Sequence, residues 1–243
     1  MPAILLQPFD FHPKYPQGEG VPPMMCKMAT QTGCSNFGTE GKRTMANLET
    51  YESTKPKLAN PGPLGLAGFG LTTVVLCSIN AGLLPKEAVP VVVPLAFAYG
   101  GVAQIIAGIL EFRTGNTFGM VAFTSYGLFW WWFAFLRWTI GAGWLKASPP
   151  SAGGTILLMW GVFTLLLWIV TFRLSKAVFS IFLLLWITFF LLAAGDFGYG
   201  TTKIGGHFGL LTGLDALFVA FIEVLNATAG RVVIPLGTPI IHD

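Results

Sequence analysis

Six stretches of this chain, at about 64–84, 89–110, 117–136, 154–172, 177–195 and 205–226, are long, apolar and nearly free of charge. The first five contain no charged residue, and the sixth contains His207, Asp215 and Glu223. A bilayer core about 30 Å thick needs about 20 helical residues to cross it, and each stretch is that long. Backbone facing lipid must satisfy its own hydrogen bonds, so the stretches are expected to be helices. Membrane strands would be shorter and would alternate apolar with polar residues, which these stretches do not. The expected fold is an all-α membrane protein with six transmembrane helices per subunit.

Composition agrees. Charged residues make up 10% of the chain, hydrophobic residues 53%, and mean hydropathy is +0.68. A soluble domain carries about 25% charge, so a disordered chain is excluded and a water-soluble enzyme disfavoured. Residues 1–57 hold six Lys/Arg and five Asp/Glu, against eight and six in all the rest. The expected organisation is a polar cytoplasmic tail over 1–57, a transmembrane domain over 58–230 and a short cytoplasmic tail over 231–243. Within the first tail, Phe9 and Phe11 are candidates to order against the body, and Met45 is a second possible start. Residues 1–6 lack a basic n-region, so no signal peptide is expected. The net charge of +3 comes in no block, and no nucleic-acid partner is expected. Cys26, Cys34 and Cys77 have no metal-finger spacing, so no metal and no cofactor are expected.

Basic residues near the spans set orientation. With the N-terminus inside, the inner side has Lys55, Lys57, Arg113, Arg173, Lys176 and Arg231, and the outer side has Lys86, Arg137, Lys146 and Lys203. This bias favours a multi-pass protein of the cell membrane with both termini cytoplasmic. Trp130, Trp131, Trp132, Trp138 and Trp144 are expected in an outer interfacial belt.

The most telling segment is Asn60-Pro-Gly-Pro-Leu-Gly65. Asn60 is a good N-cap and Pro61 suits the first helical position. The N–H groups of Gly62, Leu64 and Gly65 would then point out of a helix start and could bind a small anion. The same residues equally describe a well-made helix start and nothing more. Phe69, Thr72, Thr73, Leu76 and Asn80 share one helical face, where the hydroxyls either meet a substrate or tie helices together. Gln104 lies mid-membrane in the second stretch, among the small residues Ala96, Gly100, Ala103 and Ala107. Asn116 and Thr117 are expected to cap the third helix, which echoes the Asn60 start. Tyr126 either gates a pore or packs in the bundle. There is no clustered catalytic set, so no enzyme is expected. No Lys or Arg lies at mid-span. A carboxylate would meet only N–H, hydroxyl and amide donors there, which favours crossing as the neutral acid or with a proton.

These residues resemble a known family. Asn60-Pro-Gly-Pro-Leu-Gly-Leu66 and Gly68-Phe-Gly-Leu-Thr-Thr73 resemble the signature of the acetate uptake transporters of YaaH type. Tyr99 to Gln104, Glu111, Gly115 to Gly119, Ala122 to Gly127, Trp160 to Thr164 and Glu223 to Asn226 agree as well. Gly62 stands where that family usually has Ala. The resemblance implies a homohexameric ring of six-helix subunits moving acetate, and in some members succinate, with protons. It also implies a constriction of Phe69, Tyr126 and Leu185. Cys77 replaces a polar residue seen in bacterial relatives, and Asp215 inherits no role. Taken together, the candidate substrate residues are Asn60, Leu64, Gly65, Thr72, Thr73, Asn80, Gln104, Asn116, Thr117 and Thr164. The candidate proton carriers are Glu111 and Glu223, which could instead simply meet water or pair with Arg113 and Arg231. A passive hexameric channel for small acids or neutral solutes, an acetate sensor and a membrane-embedded enzyme are the rival readings.

Overall fold

A computed structural model describes residues 58–241. The expectations for residues 1–57, including Phe9, Phe11, Cys26, Cys34, Met45, Lys55 and Lys57, lie outside the described residues, as do the last two residues. Among the described residues, six helices are long and apolar enough to cross a membrane: α1 Gly62–Asn80, α2 Lys86–Thr114, α3 Thr117–Gly141, α4 Pro150–Thr171, α5 Lys176–Tyr199 and α6 Thr202–Ala229. No strand occurs among the described residues. The helices differ from the apolar stretches mainly at their ends. α1 stops at Asn80, leaving Leu83 and Leu84 in the loop, and α3 carries on through Arg137 to Gly141.

Two helices are composite. α2 opens with a 3-10 turn at Lys86–Ala88, becomes α-helical over Val89–Leu95, widens to π over Ala96–Ala103 and returns to α over Gln104–Thr114. Pro94 sits inside it. Proline lacks an N–H and crowds the preceding turn, and a π segment is one way to absorb that misfit. α5 ends in a π turn, Gly195–Tyr199, broken by Gly198 at φ 97°.

The helices pack in a closed circuit. α1 lies along α6, α6 along α5, α5 along α4, α1 along α2 and α2 along α3. Side chains close the remaining gap, since the Tyr126 and Phe129 rings of α3 meet Trp160 of α4, tilted and edge-on, at 5.7 and 5.1 Å between centroids. The α1–α6 contact depends on glycine. A Cβ on Gly70 would lie 2.7 Å from the Gly213 carbonyl oxygen, and one on Gly213 would lie 2.8 Å from that of Gly70. Small residues let two backbones meet in this way.

The tryptophan belt needs correction. Trp131, Trp138 and Trp144 are exposed, but Trp130 is buried and Trp132 packs on the core. An unbroken helix through 130–132 must turn those rings to different sides.

The chain after α6 is not a loose tail within the described residues. The Asn226 side chain donates to the Ile234 carbonyl at 2.8 Å and accepts from the N–H groups of Val233 and Ile234 at 2.7 and 3.1 Å. Farther on, Ala177 N–H donates to the Leu236 carbonyl, and Ile240 and Ile241 N–H donate to that of Phe172. The segment is strapped across the start of α5 and the end of α4.

Candidate functional site

The circuit encloses two cavities in line. The first, of about 180 Å³, lies among the start of α1, the end of α2, the starts of α3 and α5 and the end of α6. Its polar lining is Asn60, Gln104, Glu111, Asn116 and Glu223. Asn60 Oδ1 accepts from Gly62 N–H at 2.9 Å, while its Nδ2 donates to Glu223 Oε2 at 3.1 Å. A Cβ on Gly62 would lie 2.9 Å from Glu223 Oε2 and 3.5 Å from Glu111 Oε1, so both carboxyl groups flank this glycine. Thr114 donates to Glu111 Oε2 at 3.1 Å. Asn116 Oδ1 caps α3 by accepting from Gly119 N–H at 3.0 Å.

This geometry corrects the expected helix start. None of the three N–H groups assigned to an anion is free. Asn60 takes that of Gly62, and the Pro61 carbonyl takes those of Leu64 and Gly65 at 3.1 and 3.3 Å. Pro61 already has helical φ and ψ, which aims its carbonyl down the first turn. Leu64 points outward, and Gly65 packs against the Phe123 ring. Thr117 is likewise not a cap: Asn116 alone does that work, and Thr117 is the first helical residue.

The second cavity, of about 210 Å³, lies toward the other end of the bundle. Its polar lining is Thr73, Cys77, Asn80, Arg137, Thr188, Asp196 and Thr202. Phe69 and Leu185 line both cavities and are the residues common to the two. Both are buried, at 6% and 4% exposed. Tyr126 lines the first cavity, with its ring 5.9 Å from that of Phe69. The three residues of the expected constriction therefore converge at one level.

The hydroxyl groups at that level have committed hydrogens. Thr73 donates to the Phe69 carbonyl at 2.7 Å, Thr72 to that of Gly68 at 2.8 Å and Thr164 to that of Trp160 at 2.7 Å. A hydroxyl has one hydrogen and two lone pairs. Thr164 thus accepts from Tyr126 in their 2.9 Å contact, and the Tyr126 hydrogen is committed too. Buried Gln104 Oε1 has no partner. Where hydroxyl donors were expected, the Thr73 and Tyr126 hydroxyls beside the partition therefore present lone pairs.

Thr73 and Asn80 face the second cavity, while Thr72 turns to Gly100 of α2 and Thr164 lies behind Tyr126, away from both linings. Sequence reading missed Arg137 and Asp196 because it placed both in links between spans.

A polytopic membrane bundle with cavities opening toward opposite ends and a two-residue partition between them belongs to the class of membrane conduits. The chain belongs to the GPR1/FUN34/yaaH family, whose model matches residues 43–238. It is 40% identical over 183 residues to the succinate-acetate/proton symporter SatP of Escherichia coli K12, covering 74% of this chain and 96% of that protein. It is 37% identical over 205 residues to acetate permease A of Emericella nidulans, covering 77% and 69%. A solved structure, described as the bacterial acetate channel SatP, matches with a TM-score of 0.71 at 40% identity, covering 74% of this chain and all of that one.

Proposed function

We propose that this protein carries acetate across a cell membrane, that succinate is a further substrate, and that it performs no catalysis. The observation that carries this reading is the partition: Phe69 and Leu185 separate two cavities that together run the length of the bundle. Large apolar side chains exclude hydrated ions by dewetting. Beside them stand the lone pairs of Tyr126 and Thr73 and the unpaired Gln104 carbonyl. These accept from the O–H of a neutral acid and repel a bare carboxylate. The substrate therefore crosses as the protonated acid. Glu111 and Glu223, which flank Gly62 at the mouth of the first cavity, exchange the proton, and Asn60 holds Glu223 in place. Asn80, Asn116 and Gln104 complete the polar lining.

In the cell the working unit is a homohexamer in the plasma membrane with both termini in the cytoplasm. Residues 58–230 are the transporting domain, and the described chain after them is held against it.

Proteoliposomes test this reading. Labelled acetate should accumulate against its gradient when a proton gradient is imposed, with protons entering alongside it. Glu223→Gln and Glu111→Gln should flatten the pH dependence of uptake. A second reading, a passive channel, is favoured by the description of the matched SatP structure. In that case acetate equilibrates and never accumulates. Acetate flux no greater than in protein-free vesicles overturns both readings.

A further inference from the structure

The second cavity holds a charged pair that the proposed crossing does not use. Arg137, near the end of α3, and Asp196, in the terminal π turn of α5, both line its wall and interact electrostatically. No other basic residue lines either cavity among the described residues. The Arg137 guanidinium carbon lies 5.6 Å from the centre of the Phe133 ring, itself a buried wall residue. The guanidinium is exposed, and the ring one helical turn before it gives it an aromatic face to rest on at the rim of the cavity. Its planar fork of N–H donors matches a carboxylate in a way that no other group on this wall can. The nearby hydroxyls of Thr73 and Thr188 have given their hydrogens to backbone carbonyls at 2.7 and 2.8 Å. Asp196 works the other way, competing for the guanidinium and repelling an anion.

We propose that Arg137 captures the substrate's carboxylate in the second cavity, and that Asp196 keeps the capture weak enough for release. This rests on the reading of the chain as a conduit for small carboxylates. A cation at the outer part of the cavity raises the local concentration of anions without holding one at the partition, where tight binding would stop flux.

The test uses the purified full chain in liposomes. Labelled acetate uptake is measured over a range of concentrations at low and high salt, for wild type, Arg137→Gln, Arg137→Lys and Asp196→Asn. Arg137→Gln should raise KM about fivefold, leave the maximal rate near wild type and remove most of the salt dependence, as for a charge at a binding rim. Arg137→Lys should recover the salt dependence and part of the KM. Asp196→Asn, which leaves Arg137 in place, should lower KM. Wild-type KM and salt dependence in Arg137→Gln would overturn the capture role while leaving the conduit intact. If that variant does not fold, an unchanged or raised KM in Asp196→Asn overturns it instead. Absence of acetate flux in the wild type overturns the conduit reading and the capture role together.

Discussion

Tyr126 of α3 donates its hydroxyl hydrogen to Thr164 of α4 at 2.9 Å, because Thr164 has already given its own to the Trp160 carbonyl at 2.7 Å. The direction of that bond sets what the phenol offers the first cavity. Thr164→Val keeps the shape, removes the acceptor and frees the Tyr126 hydrogen to meet an anion. Acetate uptake by this variant should fall off less steeply as pH rises. The variant loses both hydrogen bonds of the Thr164 hydroxyl, each costing about 1 kcal/mol, a loss that thermal unfolding in detergent would register as a drop in Tm. A wild-type pH profile in the folded variant would remove Tyr126 from the crossing.

Phe69 and Leu185 stand between the cavities, so truncating either should join them. Phe69→Ala and Leu185→Ala should admit longer monocarboxylates and lower the ratio of acetate uptake to theirs. Each buried truncation costs about 2–5 kcal/mol, so expression and assembly are measured alongside transport. A folded variant that keeps the wild-type ratio would show that these side chains only pack.

Gly62→Ala puts a methyl group 2.9 Å from Glu223 Oε2 and 3.0 Å from Asn60 Oδ1. The carboxyl end of Glu223 must swing away and weaken its bond to Asn60. Stability should change by less than about 1 kcal/mol, since Ala is the better helix former. The pH profile of acetate uptake should shift. An unshifted profile in a well-folded variant would mean that the Asn60–Glu223 bond does not govern proton exchange.

Gly206→Ala tests the α1–α6 seam. Its Cβ would lie 2.5 Å from the Asn80 carbonyl carbon and 2.7 Å from Ala81 Cα, which are backbone atoms that cannot rotate aside. Overpacking of this kind costs about 1–3 kcal/mol. Gly141→Ala, which would meet nothing within 4 Å, is the control and should leave Tm unchanged or slightly higher.

The six crossings were legible in the sequence because each depends on a long charge-free run, a property that neighbours cannot override. The constriction was reached through the resemblance, since Phe69, Tyr126 and Leu185 in an apolar chain look like any other core residues. At the start of α1 the cap position falls on Pro61 and the first helical residue is Gly62, one place later than the spacing suggests, although Asn60 Oδ1 does accept from Gly62 N–H. The N–H groups were not legible because the Pro61 carbonyl's aim depends on that residue's own ψ. Arg137 was hidden for a different reason. A charge at a span's edge reads as a loop until the helix beneath it is seen to continue. The strap after α6 was invisible because Ile240 and Ile241 are held by backbone N–H groups that every residue but proline possesses.

That strap has a consequence for how the protein tolerates sequence change. Its contacts to Ala177 and Phe172 run from main chain to main chain. Which amino acid stands at 240 or 241 matters little to them, provided the N–H remains. Substitutions there should leave the path of the chain intact, whereas Leu236 packs on the core and Gly237 turns at φ 81°. Asn226 is the polar anchor, whose one amide both donates to and accepts from the returning chain.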